Sequence, residues 1–165
     1  MKELNYNIAV LSLSILVIFP IFSKFMGISG GIKIPALTAF LCIAVLIFDK
    51  NFQYNFFSKN VVIWFTLMLY HYINAYLKDV DGTNADVFLL YVFLPTSAIG
   101  LTVYLFTTNS NLTLTLITGI YLIYLFIAYM TISRIGFNAE SRFDYADVVH
   151  PNILGQFAGL TCILV

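Results

Sequence analysis

Charge is what this sequence has least of. Only 10% of its 165 residues are Asp, Glu, Lys or Arg, and eight basic side chains balance eight acidic ones to a net charge of zero. A soluble domain of this size carries about a quarter charged residues. Zero net charge also removes the electrostatic case for nucleic-acid binding. Cysteine is equally scarce: Cys42 and Cys162 both sit inside apolar runs, where a thiol serves as a small packing residue, so neither a disulfide nor a metal site is indicated. No CxxC, HExxH, P-loop or GxSxG pattern occurs. Asn111-Leu112-Thr113 is a formal glycosylation sequon, but it opens a hydrophobic segment.

What remains is apolar. Hydrophobic residues make up 61% of the chain and aromatics 17%, with a mean hydropathy of +0.92. This composition indicates an integral membrane protein. The expected fold is all-α, a polytopic transmembrane helical bundle in a single transmembrane domain over 1–165. Five apolar segments approach the ~20 residues of a full crossing, near 6–23, 32–48, 60–77, 87–106 and 112–132. The first resembles a signal peptide behind Lys2, yet it lacks a small-x-small cleavage site and is closed by Pro20 and Lys24, so it reads as a retained span. The second starts after Gly30-Gly31 with Lys33 snorkelling to the interface. Phe52, Tyr54, Phe56 and Phe57, between Lys50 and Lys59, read as a loop at headgroup level.

Pro95 and Gly100 predict a kink in the fourth segment. The polar run Thr107-Thr108-Asn109-Ser110-Asn111 predicts a tight turn between two antiparallel helices. No charged residue occurs from Val87 to Ser133. A sixth apolar segment, 151–165, covers only about 22 Å at 1.5 Å per residue, short of a hydrocarbon core near 30 Å. It therefore reads as the start of a sixth span, and the chain as the N-terminal part of a longer polytopic protein.

Charge returns after Ser133, with five charged residues between Arg134 and Asp147. Both arginines, Arg134 and Arg142, lie in this loop, whereas the six basic residues elsewhere are lysines. Arginine's planar fork suits phosphate oxygens better than a lysine point charge. His150-Pro151-Asn152 follows as a helix start with proline at its first position, and a helix N-terminus offers unpaired N–H groups and the positive end of the dipole to an anion. Plainer readings stand beside this one. Arg134 can be an interfacial anchor, Arg142 a member of a solvated cluster with Glu140, Asp144 and Asp147, and His150 and Asn152 simple caps. Asp144, Asp147 and His150 recur every third residue, a spacing that could hold a divalent cation but does not demand one. Gly155 and Gly159 read as helix packing. His71, with Asn74 one turn on, is the ionisable residue nearest the centre of a span, and reads as packing or interface rather than chemistry.

Arg142, followed eight residues later by His150-Pro151-Asn152-Ile153-Leu154-Gly155 opening an apolar segment, resembles the O-antigen polymerase and O-antigen ligase superfamily of bacterial polysaccharide enzymes. The motif covers Arg142 to Gly159, and Asp147-Val148-Val149 stands where that family usually has Gly-x-Phe. The resemblance implies a glycosyltransferase of cell-surface polysaccharide and lipopolysaccharide synthesis. It implies a multi-pass location in the bacterial inner membrane, with loop 133–150 extracytoplasmic, and an undecaprenyl-pyrophosphate-linked oligosaccharide as substrate. Arg142, His150, Asn152 and Arg134 would bind the pyrophosphate, without cofactor or metal, and this stretch of chain alone would be inactive. Charge does not fix the orientation: Lys2, Lys50 and Lys59 fall on one side, and Lys24, Lys33, Lys78, Arg134 and Arg142 on the other. The alternative is part of a multi-pass transporter or lipid-linked sugar flippase, with a small membrane subunit lacking chemistry as a third possibility.

Overall fold

The computed structural model describes residues 2–25, 32–78 and 85–135. All of its regular structure is helical: α1 (Lys2–Phe25), α2 (Lys33–Leu46), α3 (Lys50–Phe56), α4 (Lys59–Leu77), α5 (Ala85–Phe88), a π-helical turn (Leu89–Phe93), α6 (Leu94–Thr108) and α7 (Ser110–Ile135). The long helices alternate in direction. One end of the bundle therefore gathers the start of α1, the end of α2, α3, the start of α4, the end of α6 and the start of α7.

α6 is the axis around which the others pack. Leu94, Leu101, Tyr104 and Leu105 of α6 are buried against Ala9, Leu13, Leu16 and Val17 of α1 and Leu46 of α2. α1 and α2 approach closely because their shared seam is small: Ala9, Ser12, Ala36 and Ala39 are all buried. Small residues let helix backbones come together where apolar surroundings supply no hydrophobic drive. Across that seam the Ser12 hydroxyl reaches the Thr38 carbonyl oxygen at 3.5 Å. Several threonine hydroxyls are satisfied within their own helix. Thr66, Thr102, Thr115 and Thr118 each donate to the carbonyl four residues back, which lets threonine sit in an apolar helix without a tertiary partner.

Pro95 produces a change of helix type. Lacking an N–H and clashing with the carbonyl four residues back, proline cannot continue α geometry. The preceding turn widens to π: Leu94 N–H donates to Leu89 O, and the buried Thr96 hydroxyl takes Val92 O at 2.7 Å. Gly100 has a different task from the one expected. A Cβ there would collide with the Phe56 ring, so the glycine is the seat on α6 for an α3 ring. The polar turn contracts to one extended residue, Asn109, whose side-chain oxygen accepts the Leu112 N–H at 3.2 Å and caps α7. Thr113 of the sequon is fully buried.

Two sequence expectations need correction. The five full spans at 6–23, 32–48, 60–77, 87–106 and 112–132 reduce to two among the described residues. Lys2–Phe19 and Leu89–Thr108 are long and apolar enough to cross a membrane, with mean hydropathies of 1.4 and 1.8. α2 has 14 residues, about 21 Å, because it stops at Leu46. α4 has 19 residues, but His71, Asn74 and three tyrosines dilute it below that standard. In α7 the qualifying apolar stretch is the shorter Ser110–Ile123. The sixth segment, 151–165, lies outside the described residues. The second correction concerns the aromatic stretch after Lys50, which is a helix rather than a loop. Asp49 caps it, and Phe52 and Asn55 are buried beneath it.

Gly100 and Gly119 give opposite predictions. Gly119 has open space where a Cβ would go, so Gly119→Ala is expected to stabilise by roughly 0.5–1 kcal/mol through helix propensity. Gly100→Ala is expected to destabilise by about 1–3 kcal/mol through overpacking, and Phe56→Ala in that background should add less than its own separate cost. Thermal unfolding in lipid nanodiscs reads both; equal signs for the two glycines would contradict the seat.

Candidate functional site

The described structure gathers its polar chemistry around one carboxylate, Asp49. It follows the end of α2 with extended backbone and occupies the N-cap of α3, its Oδ1 accepting the Asn51 N–H at 2.8 Å and the Phe52 N–H at 3.4 Å. An N-cap aspartate satisfies donors that a helix start otherwise leaves unpaired. The other oxygen, Oδ2, works at long range. It accepts Asn5 Nδ2 of α1 at 2.9 Å and the Tyr104 hydroxyl of α6 at 3.3 Å. One side chain thus ties its own corner to residues 44 positions before it and 55 positions after it.

The surrounding residues hold that geometry. Phe52 stacks on Phe56 with centroids 5.0 Å apart and meets the Tyr104 ring edge-on at 5.9 Å. One turn further along α3, buried Asn55 donates to the Thr107 hydroxyl at 2.7 Å, and that hydroxyl donates to the Tyr104 carbonyl oxygen. The Gln53 amide turns back to the Ile47 carbonyl oxygen. α3 is therefore pinned to α6 by a ring stack on one side and a polar chain on the other.

Partial burial pushes the Asp49 carboxyl up. The donors from Asn5, Asn51, Phe52 and Tyr104 more than offset it, leaving the acid stronger than an ordinary aspartate. A carboxylate with four donors is occupied and is no free general base. Among the described residues no group of three His, Cys, Asp or Glu could hold a metal ion. The chemistry of this cluster is positioning.

The sequence-predicted site residues lie elsewhere. Arg142, His150 and Asn152 fall outside the described residues; Arg134 is in the last turn of α7, and only its backbone is described. His71 is exposed and meets the Tyr70 ring edge-on at 5.8 Å. Sequence reasoning missed Asp49. Its signal was an aspartate directly before a stretch with Phe52, Asn55 and Phe56 at helical spacing.

The fold is an all-α helical bundle, and two of its described helices have the length and apolarity of a membrane crossing. α4 agrees, with Val61 buried while Val62, Ile63, Trp64, Phe65 and Leu67 are exposed, an apolar surface that in water would mark an interaction site. No protein-family model, curated protein or solved structure matches the chain.

Removal of the carboxylate tests the hub. Asp49→Ala, which loses cap and tertiary bonds together, is expected to cost about 1–3 kcal/mol. Asp49→Asn keeps a good cap and should cost less. The stability supplied by a depressed carboxyl is fully present above the unfolded value of about 3.9 and lost as pH falls through the lower folded value. Wild type should therefore lose stability in that acid window and Asp49→Asn should lose less, as read by denaturant unfolding across pH. Parallel pH profiles would contradict the assignment.

Proposed function

We propose that this chain contributes to an O-antigen polymerase- or ligase-like glycosyltransferase, acting on undecaprenyl-pyrophosphate-linked glycans at the outer face of a bacterial inner membrane. The observation that carries the reading is the Arg142 to His150-Pro151-Asn152 pattern, with Arg134 at its approach. The direction of α7 supports it. α7 starts one residue after α6, beside the Asp49 cluster, and runs for 26 residues, about 39 Å. The chain leading to Arg142 thus departs from the end opposite Asp49. In this reading the Asp49 end faces the cytoplasm, and the bundle anchors a loop in which Arg142, His150 and Asn152 bind pyrophosphate oxygens. Arginine forks and helix-start N–H groups are the donors such oxygens require.

A second reading, a transporter or flippase of lipid-linked sugars, has one observation in its favour. The π-helical turn Leu89–Phe93 before Pro95 interrupts a membrane-length helix, and interrupted helices are where transporters place binding sites.

Binding and translocation separate the two. The chain in nanodiscs is expected to bind undecaprenyl-pyrophosphate oligosaccharide, with Arg142→Ala weakening binding about tenfold by loss of a charge-assisted contact. Equal binding by wild type and variant would remove the glycosyltransferase reading's best residue. Transbilayer movement of a labelled glycolipid by proteoliposomes would favour the transporter.

A further inference from the structure

The Asp49 end of the bundle carries an outer surface that the inner hub does not use. Around α3 the side chains of Phe48, Tyr54 and Phe57 are 89%, 81% and 63% exposed, the first two among the most exposed large apolar groups described. They alternate with lysines: Lys50 opens α3 and Lys59 opens α4. The bond from Asn5 to Asp49 brings the first turn of α1, with Lys2, to the same end. All three lysines are exposed, and no ion pair engages them among the described residues. The acidic groups here are Glu3 and Asp49, and the Asp49 carboxylate is turned inward onto its four donors. Glu3 is exposed, so the outward face is aromatic and carries three lysines against one carboxylate.

A short helix packed on the last turns of α6, with its inner face pinned by Phe52 and Asn55, cannot bury those outer rings in the protein core. Aromatic rings of this kind settle at headgroup depth, and lysines extend past them to charge at the surface. We propose that the α3 end of the bundle is an interfacial platform for anionic phospholipid headgroups, with Lys50, Lys59 and Lys2 supplying the charge and Phe48, Tyr54 and Phe57 the anchors. Charge complementarity selects the lipid: a zwitterionic surface satisfies the rings but not the lysines, whereas basic side chains are drawn to an anionic leaflet. This platform is independent of the glycan reading and would orient the bundle whichever activity it serves.

The test uses the chain's single tryptophan, Trp64, five residues beyond Lys59 in α4 and so about 7.5 Å from the start of that helix. The whole chain is placed in phosphatidylcholine nanodiscs doped with dansyl-phosphatidylglycerol or, in the parallel arm, dansyl-phosphatidylcholine. Energy transfer from Trp64 then reports which lipid gathers at this end. The expected result is local enrichment of the anionic probe by about fivefold over the zwitterionic one. The preference should fall towards parity in Lys50→Gln/Lys59→Gln, persist in Lys50→Arg/Lys59→Arg, and weaken at high salt. Circular dichroism checks the fold of each variant, and the salt arm needs no variant. Equal transfer to the two probes in wild type, or a preference that survives both high salt and the glutamine pair, would overturn the platform and leave a protein partner as the occupant of these rings.

Discussion

The structure depends on placing one carboxylate where four donors can reach it. Asp49 sits at the corner between α2 and α3, and its two oxygens divide the work. One oxygen starts a helix; the other binds α1 to α6. Moving a carboxylate out of water is costly unless hydrogen bonds replace the lost hydration, and charge-assisted bonds are the strong ones. Here the bonds outweigh the burial, so the charge is stabilised where it stands.

The rest of the packing follows from that corner. Once α3 is capped, Phe52 lies against the Tyr104 ring and Phe56 enters the space that Gly100 leaves on α6. Tyr104 joins both systems through its hydroxyl to Asp49 and its ring to Phe52. α1 and α2 then close along their small-residue seam. α4 gains little from this core: it meets α6, the π turn and the end of α5, where Tyr72 lies edge-on to Phe88 at 5.4 Å, and leaves most of its apolar surface outward. A tightly pinned inner set with an apolar outer face suits a bundle whose surroundings are hydrocarbon rather than water.

The apolar runs made the helical class legible, and the polar run at 107–111 marked the α6–α7 turn. Run length was a poor guide to span count, because an apolar run continues where a helix stops. α2 ends at Leu46 while Ile47 and Phe48 carry the hydropathy onward into the corner. In α4, His71, Asn74 and the tyrosines dilute a helix that is long enough by residue number. α3 was misread because aromatics between lysines look the same in a loop and in a short interfacial helix. The cap at Asp49 and the buried pair Phe52 and Asn55 were the distinguishing signs. Gly100 read as part of a kink because its role in the fold, accepting a ring from a residue 44 positions earlier, is a tertiary fact with no local signature. Of the proposed pyrophosphate-binding set, only the backbone of Arg134 falls within the described residues, so that reading rests on sequence pattern.

The most direct test of the central claim is the ionisation of Asp49 itself. Carboxyl 13C NMR of the chain in nanodiscs, with aspartate labelled and the Asp49 resonance assigned through Asp49→Asn, would follow that one group through acid pH. A midpoint below that of an ordinary aspartate, shifted upward by Asn5→Ala, is the predicted result. A midpoint at or above the ordinary value, indifferent to Asn5, would mean that the carboxylate is not held by these donors, and the corner would lose the interaction from which the bundle is built.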